Sequence, residues 1–357
     1  MNIGNGRAWR GNGIAIAVVV LAILVVTLSP GRAGERAPFS FAFDPGRRGV
    51  SDAILNILLF VPLGVAIGWS RRGAIAAGLV GLLLATIIEV AQTILPGRDP
   101  ALSDIVLNTA GTIAGAVFAR RRRTLLDPDA RAAAVLTAAG LLLAAAVVIA
   151  TAYLLSPIPE SPARADRTVQ IPDSPGESAG DVRALLSAEV AGSAERVFIA
   201  RSGDDLLLRY PSRGGAFGFD QPEYWRSGAF ERKASGEPTR VLVSRDRSRW
   251  DITIGADRAT LGPTPGQGWA ALAYPDAIGR RWGAIVSGLW MVGIFIPIGF
   301  WARGRLLLVA AGVSFLLLVF LPPITGLIGA TALEWAGALI GLSVGALLGF
   351  SCRPRRP

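Results

Sequence analysis

Polar side chains that could carry chemistry cluster between residues 52 and 108 of an otherwise apolar chain. Two similar stretches, SDAILN and SDIVLN, each place an acid and an amide four residues apart at the head of an apolar segment. The pairs are Asp52 with Asn56 and Asp104 with Asn108. Carboxylates and amides can hydrogen-bond a polar ligand, and two carboxylates together can act as general acid and base.

Three more polar residues lie between these pairs. Glu89 and Gln92 are three residues apart, so they share one face of a helix, and Arg98 follows in the Pro-Gly-Arg turn. The chain has no histidine and a single cysteine, Cys352. This excludes histidine bases, Cys/His nucleophile pairs, intrachain disulfides and Cys-rich zinc sites. We expect no metal and no cofactor.

The composition is that of a membrane protein. Of 357 residues, 52% are hydrophobic and only 17% are charged, and the mean hydropathy is +0.48. Soluble domains are nearer a quarter charged, and here the apolar residues form long blocks. The net charge of +10 comes from arginines between these blocks, as positive-inside loops require, so we do not expect nucleic-acid binding.

Eight membrane spans follow from these blocks. They are predicted at 13–30, 52–70, 73–95, 102–119, 132–156, 282–301, 304–321 and 327–350. We interpret the first as an uncleaved anchor, with a signal peptide as the alternative. The arginine bias of the short loops predicts both termini in the cytoplasm and 157–280 outside an inner (cytoplasmic) membrane, although Arg280 and Arg281 fall on the wrong side.

This topology brings the polar residues together near the outer interface, where spans two and four begin and span three ends. Capping by Ser51 and Ser103 could explain the two acids, and glue between helices, such as pairing of Arg98 with Glu89 or Asp104, is the structural alternative. A polar side chain inside a membrane is otherwise a functional hypothesis. The predicted ligand-binding set is Asp52, Asn56, Glu89, Gln92, Arg98, Asp104 and Asn108.

Small residues predict close helix packing. Gly111 and Gly115 line the face of span four that carries Asp104 and Asn108, and they would let another helix approach. The C-terminal spans repeat this pattern without most of the polar set. FVPLG over 60–64 matches FIPIG over 295–299, Glu334 falls over Asp104, Ala338 over Asn108, and Gly341 and Gly345 over the two glycines. We interpret this as a degenerate parallel repeat, with chance similarity as the alternative.

The long outer segment reads as a β domain after a Pro/Ser/Gly-rich linker. Short alternating runs such as ERVFIARS and TRVLVSR are punctuated by Gly, Pro and Asp, which predicts an antiparallel β-sandwich. Residues 165–278 weakly resemble concanavalin/laminin-G-like domains, which often bind carbohydrate. Sugar stacking and burial in the core are the two interpretations of its aromatic residues Tyr224, Trp225, Trp250 and Trp269.

The ordered set across residues 14–120 resembles the VanZ-like family. It comprises D-x3-N-x3-F-x-P-x-G from Asp52, E-x2-Q leading to P-G-R, and D-x3-N-T-x-G-x3-G from Asp104. Asn56 stands where many members carry histidine, which weakens transfer of a proton-relay role. The family is associated with teicoplanin resistance, although most members occur in other settings, so the resemblance implies a membrane domain above all.

We expect a mainly α-helical bundle of about eight spans with an inserted extracytoplasmic β-sandwich-like domain. The expected parts are a VanZ-like domain (1–125), a fifth span (126–156), the β-rich domain (157–280) and a three-span region (281–357). The first hypothesis is a cell-envelope protein that binds or processes an envelope lipid, glycan or lipid-linked precursor, related to polysaccharide or glycopeptide resistance. A transporter or flippase component ranks second. A membrane enzyme with paired carboxylates ranks third, because no hydrolase or transferase signature is present.

Overall fold

The computed structural model describes residues 4–29, 38–41, 49–69, 73–170, 182–191, 196–219, 221–231, 238–272 and 280–351. Apolar helices and two antiparallel sheets make up this part of the chain. The predicted fold class, a helical membrane part with a β domain, is therefore confirmed. Two compact units divide the chain, Met1–Pro128 and Asp129–Pro357.

The α-helices of the first unit include three long apolar ones. Within the described residues of this unit the helices are α1 Gly4–Leu28, α2 Gly49–Trp69, α3 Ala74–Gln92, α4 Leu102–Arg120 and the short α5 Arg122–Leu126. Pro62 lies inside α2. The inner faces of α1 to α4 form one apolar core that includes Phe60, Leu63 and Ile88.

Four long helices belong to the second unit. They are α6 Ala130–Leu154, α7 Arg280–Trp301, α8 Arg305–Thr325 and α9 Ala332–Ser351. Asp129 caps α6 by accepting a hydrogen bond from the Ala132 N–H at 2.7 Å, and Pro297 lies inside α7 as Pro62 lies inside α2. The fifth predicted span thus groups with the C-terminal spans.

The first of the eight predicted spans is the one with the shortest apolar helix. Among the described residues, seven helices, α2 to α4 and α6 to α9, are long and apolar enough to cross a membrane. The apolar part of α1 is Gly13–Leu28, which at 1.5 Å per residue falls short of a hydrocarbon core of about 30 Å. Large apolar side chains such as Ile75, Leu142 and Leu308 point outward on the spans, as a multi-pass membrane protein requires.

Two four-stranded antiparallel sheets form the β domain of the second unit. The strands are β1 Arg164–Gln170, β2 Arg183–Glu189, β3 Arg196–Ser202, β4 Asp205–Arg209, β5 Glu223–Arg226, β6 Pro238–Asp246, β7 Arg249–Ile254 and β8 Asp257–Leu261. Their orders are β1-β6-β7-β8 and β2-β3-β4-β5. Alternate residues of both sheets, including Ile199, Leu208, Val243 and Ile252, share one buried core, so the domain is a sandwich.

A 3-10 helix, Pro265–Ala271, connects the sandwich to the helices. Thr264 and Gln267 close its start with a capping box. This 3-10 helix packs against both α6 and α7, and it lies beside the start of α9 through contacts described below.

Candidate functional site

Close contact between α2 and α4 positions the polar residues of the first unit. A Cβ atom at Gly111 would overlap the Ile57 carbonyl oxygen, and one at Gly115 would overlap the Val61 carbonyl oxygen. Only glycine permits this approach. The first two turns of α2 and α4, which carry the two acid–amide pairs, are therefore held side by side.

Asp104 lies at the centre of the polar cluster. It is half-buried, and its carboxylate accepts hydrogen bonds from the side chains of Asn56 and, at 3.3 Å, of Ser103. The charge of Asp52 also acts on it. The structure thus brings Asp52, Asn56 and Asp104 together, each within the first two turns of its helix.

Glu89 approaches the same place from the end of α3. Its side chain is 2% exposed, and its Oε2 accepts a hydrogen bond from the Ala101 N–H at 2.9 Å. Ala101 is the N-cap residue of α4, where unpaired N–H groups favour a negative charge. Asp104 and Arg98 both interact electrostatically with this carboxylate. Glu89 therefore anchors the start of α4.

Gln92 and Arg98 both hydrogen-bond the end of α1. The Gln92 Nε2 donates to the Thr27 carbonyl at 3.0 Å. The Arg98 Nη2 donates to the carbonyls of Ser29 at 2.7 Å and Val26 at 3.0 Å. Both side chains satisfy carbonyls at the C-terminal end of α1, where no intrahelical donor remains. The hydrogen bonds of Arg98 thus serve α1 rather than Glu89 or Asp104.

Asn108 lies one helical turn deeper than Asp104 on the same face of α4. Its side chain is 1% exposed, and its Oδ1 has no hydrogen-bond partner in the part of the chain that the structure describes. An unsatisfied buried amide oxygen costs about 1–3 kcal/mol. Among the predicted ligand-binding residues, Asn108 is therefore the one whose side-chain oxygen has no structural role in the described part of the chain.

The cluster is not arranged as a metal centre. Across the described ranges, no group of three or more His, Cys, Asp or Glu side chains could hold a metal ion. Four residues, Asp52, Asn56, Glu89 and Asp104, interact around the start of α4. The three carboxylates accept hydrogen bonds, and the Asn56 amide can both donate and accept.

The C-terminal helices α7 and α9 make contacts that match those of α2 and α4. A Cβ atom at Gly341 would lie 2.6 Å from the Val292 carbonyl oxygen, and one at Gly345 would overlap the Ile296 carbonyl oxygen. In the sequence, Gly341 and Gly345 correspond to Gly111 and Gly115. The contacted carbonyls of Val292 and Ile296 likewise correspond to those of Ile57 and Val61. The matching contacts support the interpretation as a repeat.

Glu334 occupies the position of Asp104 in this second pair, but it is 0% exposed. Its Oε1 accepts hydrogen bonds from the Thr264 hydroxyl and, at 3.1 Å, from the Gly266 N–H. Its Oε2 accepts from the Thr331 N–H at 2.9 Å, and the Thr331 hydroxyl accepts from the Glu334 N–H at 3.3 Å. This is a capping box. Its T-x-x-E signal is present in the sequence and was not used in predicting the site.

Three of the four aromatic residues considered for sugar stacking belong to the core. Trp250, Tyr224 and Trp269 are 1%, 6% and 7% exposed, and Tyr210 stacks on both Trp250 and Tyr224. The stacking role is therefore wrong for these three, because a sugar cannot reach their faces. Trp225 is half-buried on β5, an edge strand.

One comparison with known proteins finds a family model that matches part of the chain. Residues 14–125 match the family model described as VanZ/LLP1, in agreement with the resemblance noted in the sequence. No curated protein and no solved structure matches the chain significantly. The likeness of residues 165–278 to concanavalin-like domains stays a prediction.

Proposed function

We propose that this VanZ-like multi-pass membrane protein binds the hydroxyl-rich headgroup of an envelope lipid or lipid-linked glycan at the start of α2 and α4. The observation that carries the proposal is the buried, unpartnered Oδ1 of Asn108, one turn below the half-buried Asp104. A sugar hydroxyl that donates to Asn108, with a second that donates to Asp104, would satisfy this oxygen.

The charge of the cluster favours hydroxyls over phosphate. Asp52 and Asp104 interact with each other, as do Asp104 and Glu89, so an anionic ligand would be repelled. Arg98, the cation in the adjoining loop, donates to the end of α1. Carboxylate and amide oxygens accept the hydrogen bonds that hydroxyls donate.

Binding also accounts for the contacts better than acid–base catalysis does. A paired-carboxylate enzyme would need Glu89 as a free acid or base, yet its Oε2 already accepts a hydrogen bond from the Ala101 N–H, whereas the Asn108 Oδ1 has no partner among the described residues. Glu89 thus supports the site, whereas Asp104 and Asn56 are the half-buried groups that a headgroup could contact. We place this site on the outer side of the inner membrane, as the arginine bias of the loops predicts.

Native mass spectrometry of the full chain in nanodiscs tests the proposal. The probes are a diglycosyl diacylglycerol and phosphatidylglycerol, with Asp104→Asn and Asn108→Ala as test variants and Asp99→Asn as the matched control. Asp99 is an exposed acid in the loop that precedes α4. We expect each test variant to retain the glycolipid about tenfold less, the loss of one strong hydrogen bond, and the control to retain it fully. Wild-type retention by both folded test variants, or a preference for phosphatidylglycerol that both lose, would refute it.

A further inference from the structure

A cavity of about 380 Å³ lies inside the second unit, where α6 and α8 end beside the β sandwich. Three arginines line it: Arg213 after β4, Arg245 at the end of β6 and Arg247 in the β6–β7 turn. Tyr153 and Ile149 of α6 form its apolar side. No predicted site residue belongs to this cavity.

None of the three arginines forms an ion pair with an acid among the described residues. Other arginines of the same sheet do: Arg240 binds Asp166 at 2.7 Å, and Arg258 binds Asp251 at 3.1 Å. Asp246 lies between Arg245 and Arg247 in the sequence, and successive residues of a strand point to opposite faces. The cavity therefore carries positive charge that no ion pair among the described residues neutralises.

The arginines are held in place by neutral groups. Arg245 is half-buried, lies 5.7 Å from the Trp250 ring centroid, donates to the Ser161 carbonyl at 2.8 Å and leaves a buried Nε without a partner in the described part of the chain. Arg213 lies 5.3 Å from the centroid of the Tyr153 ring. Burial lowers the pKa of the Arg245 guanidinium from its ordinary value.

Arg247 joins the turn to the helices. It has a left-handed backbone with φ 53°, and its Nη1 donates to the Ile324 carbonyl at 2.6 Å. That carbonyl belongs to the last turn of α8, where the helix leaves its final acceptors unpaired. The hydrogen bond connects the β6–β7 turn of the sandwich to the end of the membrane span α8.

The depth of the cavity matches that of lipid headgroups. Tyr153 is 49% exposed in the last turn of α6, and tyrosines at span ends lie at the membrane–water interface. Ile149, one turn deeper, is 50% exposed and provides an apolar path for an acyl chain. A ligand here would meet arginines above and hydrocarbon below.

We infer that this cavity binds an anionic phospholipid, with the phosphate between Arg213, Arg245 and Arg247 and one acyl chain along Ile149. The planar guanidinium presents a fork of donors that fits phosphate oxygens. The lipid would attach the sandwich to the membrane surface beside α6 and α8. This site is separate from the acceptor-rich cluster of the first unit and opposite to it in charge.

The test uses the full chain in detergent, titrated with short-chain phosphatidylglycerol, phosphatidylcholine and inorganic phosphate, with binding followed by native mass spectrometry. We expect phosphatidylglycerol to bind best, and Arg213→Gln and Arg247→Gln each to weaken it about tenfold. Arg196→Gln is the matched control, because it removes an arginine whose exposed ion pair with Glu189 contributes little to stability.

Thermal unfolding of the lipid-free variants separates binding from folding. Because Arg247 also supports the end of α8, Arg213→Gln is the deciding variant if Arg247→Gln unfolds. Equal binding of phosphatidylglycerol by wild type and Arg213→Gln would overturn the inference. Equal affinity for phosphatidylcholine, or for inorganic phosphate alone, would overturn it as well, since either result removes the anionic lipid as the ligand.

Discussion

The helix pairs α2/α4 and α7/α9 share a scaffold and differ in the acid at its end. In both pairs, glycines of the later helix press on main-chain carbonyls of the earlier one. In both pairs, a proline lies inside the earlier helix, Pro62 in α2 and Pro297 in α7. Two copies of one packing solution can therefore be compared position by position.

Their first turns differ in what surrounds the carboxylate. Glu334 is fully buried and hydrogen-bonded by Thr264, Gly266 and Thr331. Asp104 is half-buried and bonded by two side chains, Asn56 and Ser103. In the second pair, Thr264 and Gly266 at the start of the 3-10 helix thus occupy the position that we assign to a ligand in the first pair.

The likeness extends to the preceding helices. α1 packs against α2 and α3, and α6 packs against α7 and α8. We interpret α1–α4 and α6–α9 as two four-helix groups with the β sandwich inserted after the first helix of the second. On this interpretation, protein contacts in the second group occupy the position of the proposed ligand in the first.

The largest expected effect comes from the glycines, and it should be equal in the two pairs. We expect Gly115→Ala and Gly345→Ala each to lower the free energy of unfolding by about 3 kcal/mol, because the added methyl group meets a backbone carbonyl that cannot move aside. Denaturant titration in mixed micelles measures this. Gly293→Ala in α7 is the control, since nothing lies within 4 Å of its added Cβ. A large loss of unfolding free energy in only one pair would show that the two helix pairs are not structurally equivalent.

The second comparison exchanges the two acids for amides. We expect Glu334→Gln to cost about 2 kcal/mol of unfolding free energy, because an amide nitrogen would face buried donors. Asp104→Asn should cost less than about 1 kcal/mol, since Asn56 and Ser103 can reorient and repulsion from Asp52 is removed. The same titration measures both, with the exposed Glu160→Gln as control. Equal losses would show that Asp104 is as structural as Glu334.

The third comparison concerns the amide that only the first pair retains. Ala338, 3% exposed, stands where Asn108 stands in the first pair. We expect Ala338→Asn to destabilise by about 1.5 kcal/mol, because a buried amide without partners is introduced. Asn108→Ala should leave the ligand-free stability nearly unchanged. If Asn108→Ala is the more damaging change, Asn108 has a structural partner and the ligand proposal loses its main support.

Local patterns in the sequence were sufficient for the helices, the strands and the glycine contacts. Apolar blocks gave seven of the eight spans, and the spacing of Gly111 and Gly115 gave their packing role. Residues whose partners are distant in sequence could not be placed this way. Arg98 binds carbonyls of α1 about 70 positions earlier, and Thr264 meets Glu334 at a similar separation.

The aromatic residues of the sandwich show the same limit. Trp250 and Tyr224 alternate correctly for strands, but the alternation does not say which face is covered. Only the packing of the two sheets fixes this, and it puts both residues in the core. In the candidate site, local patterns predicted the residues and a common depth but not which side chains support helices and which remain available to a ligand.

The smallest expected effects lie at the ends of α1 and α6, which correspond in the two groups but are closed by different elements. Arg98 donates to carbonyls of α1, whereas the Tyr210 hydroxyl of the sandwich donates to the Leu155 carbonyl after α6 at 2.9 Å. Arg98→Gln and Tyr210→Phe should each cost about 1 kcal/mol or less. Hydrogen exchange should rise only at 20–28 in the first variant and only at 147–155 in the second. Faster exchange throughout either four-helix group would mean that the helix end supports the whole group, and that closing it is more than a local hydrogen bond.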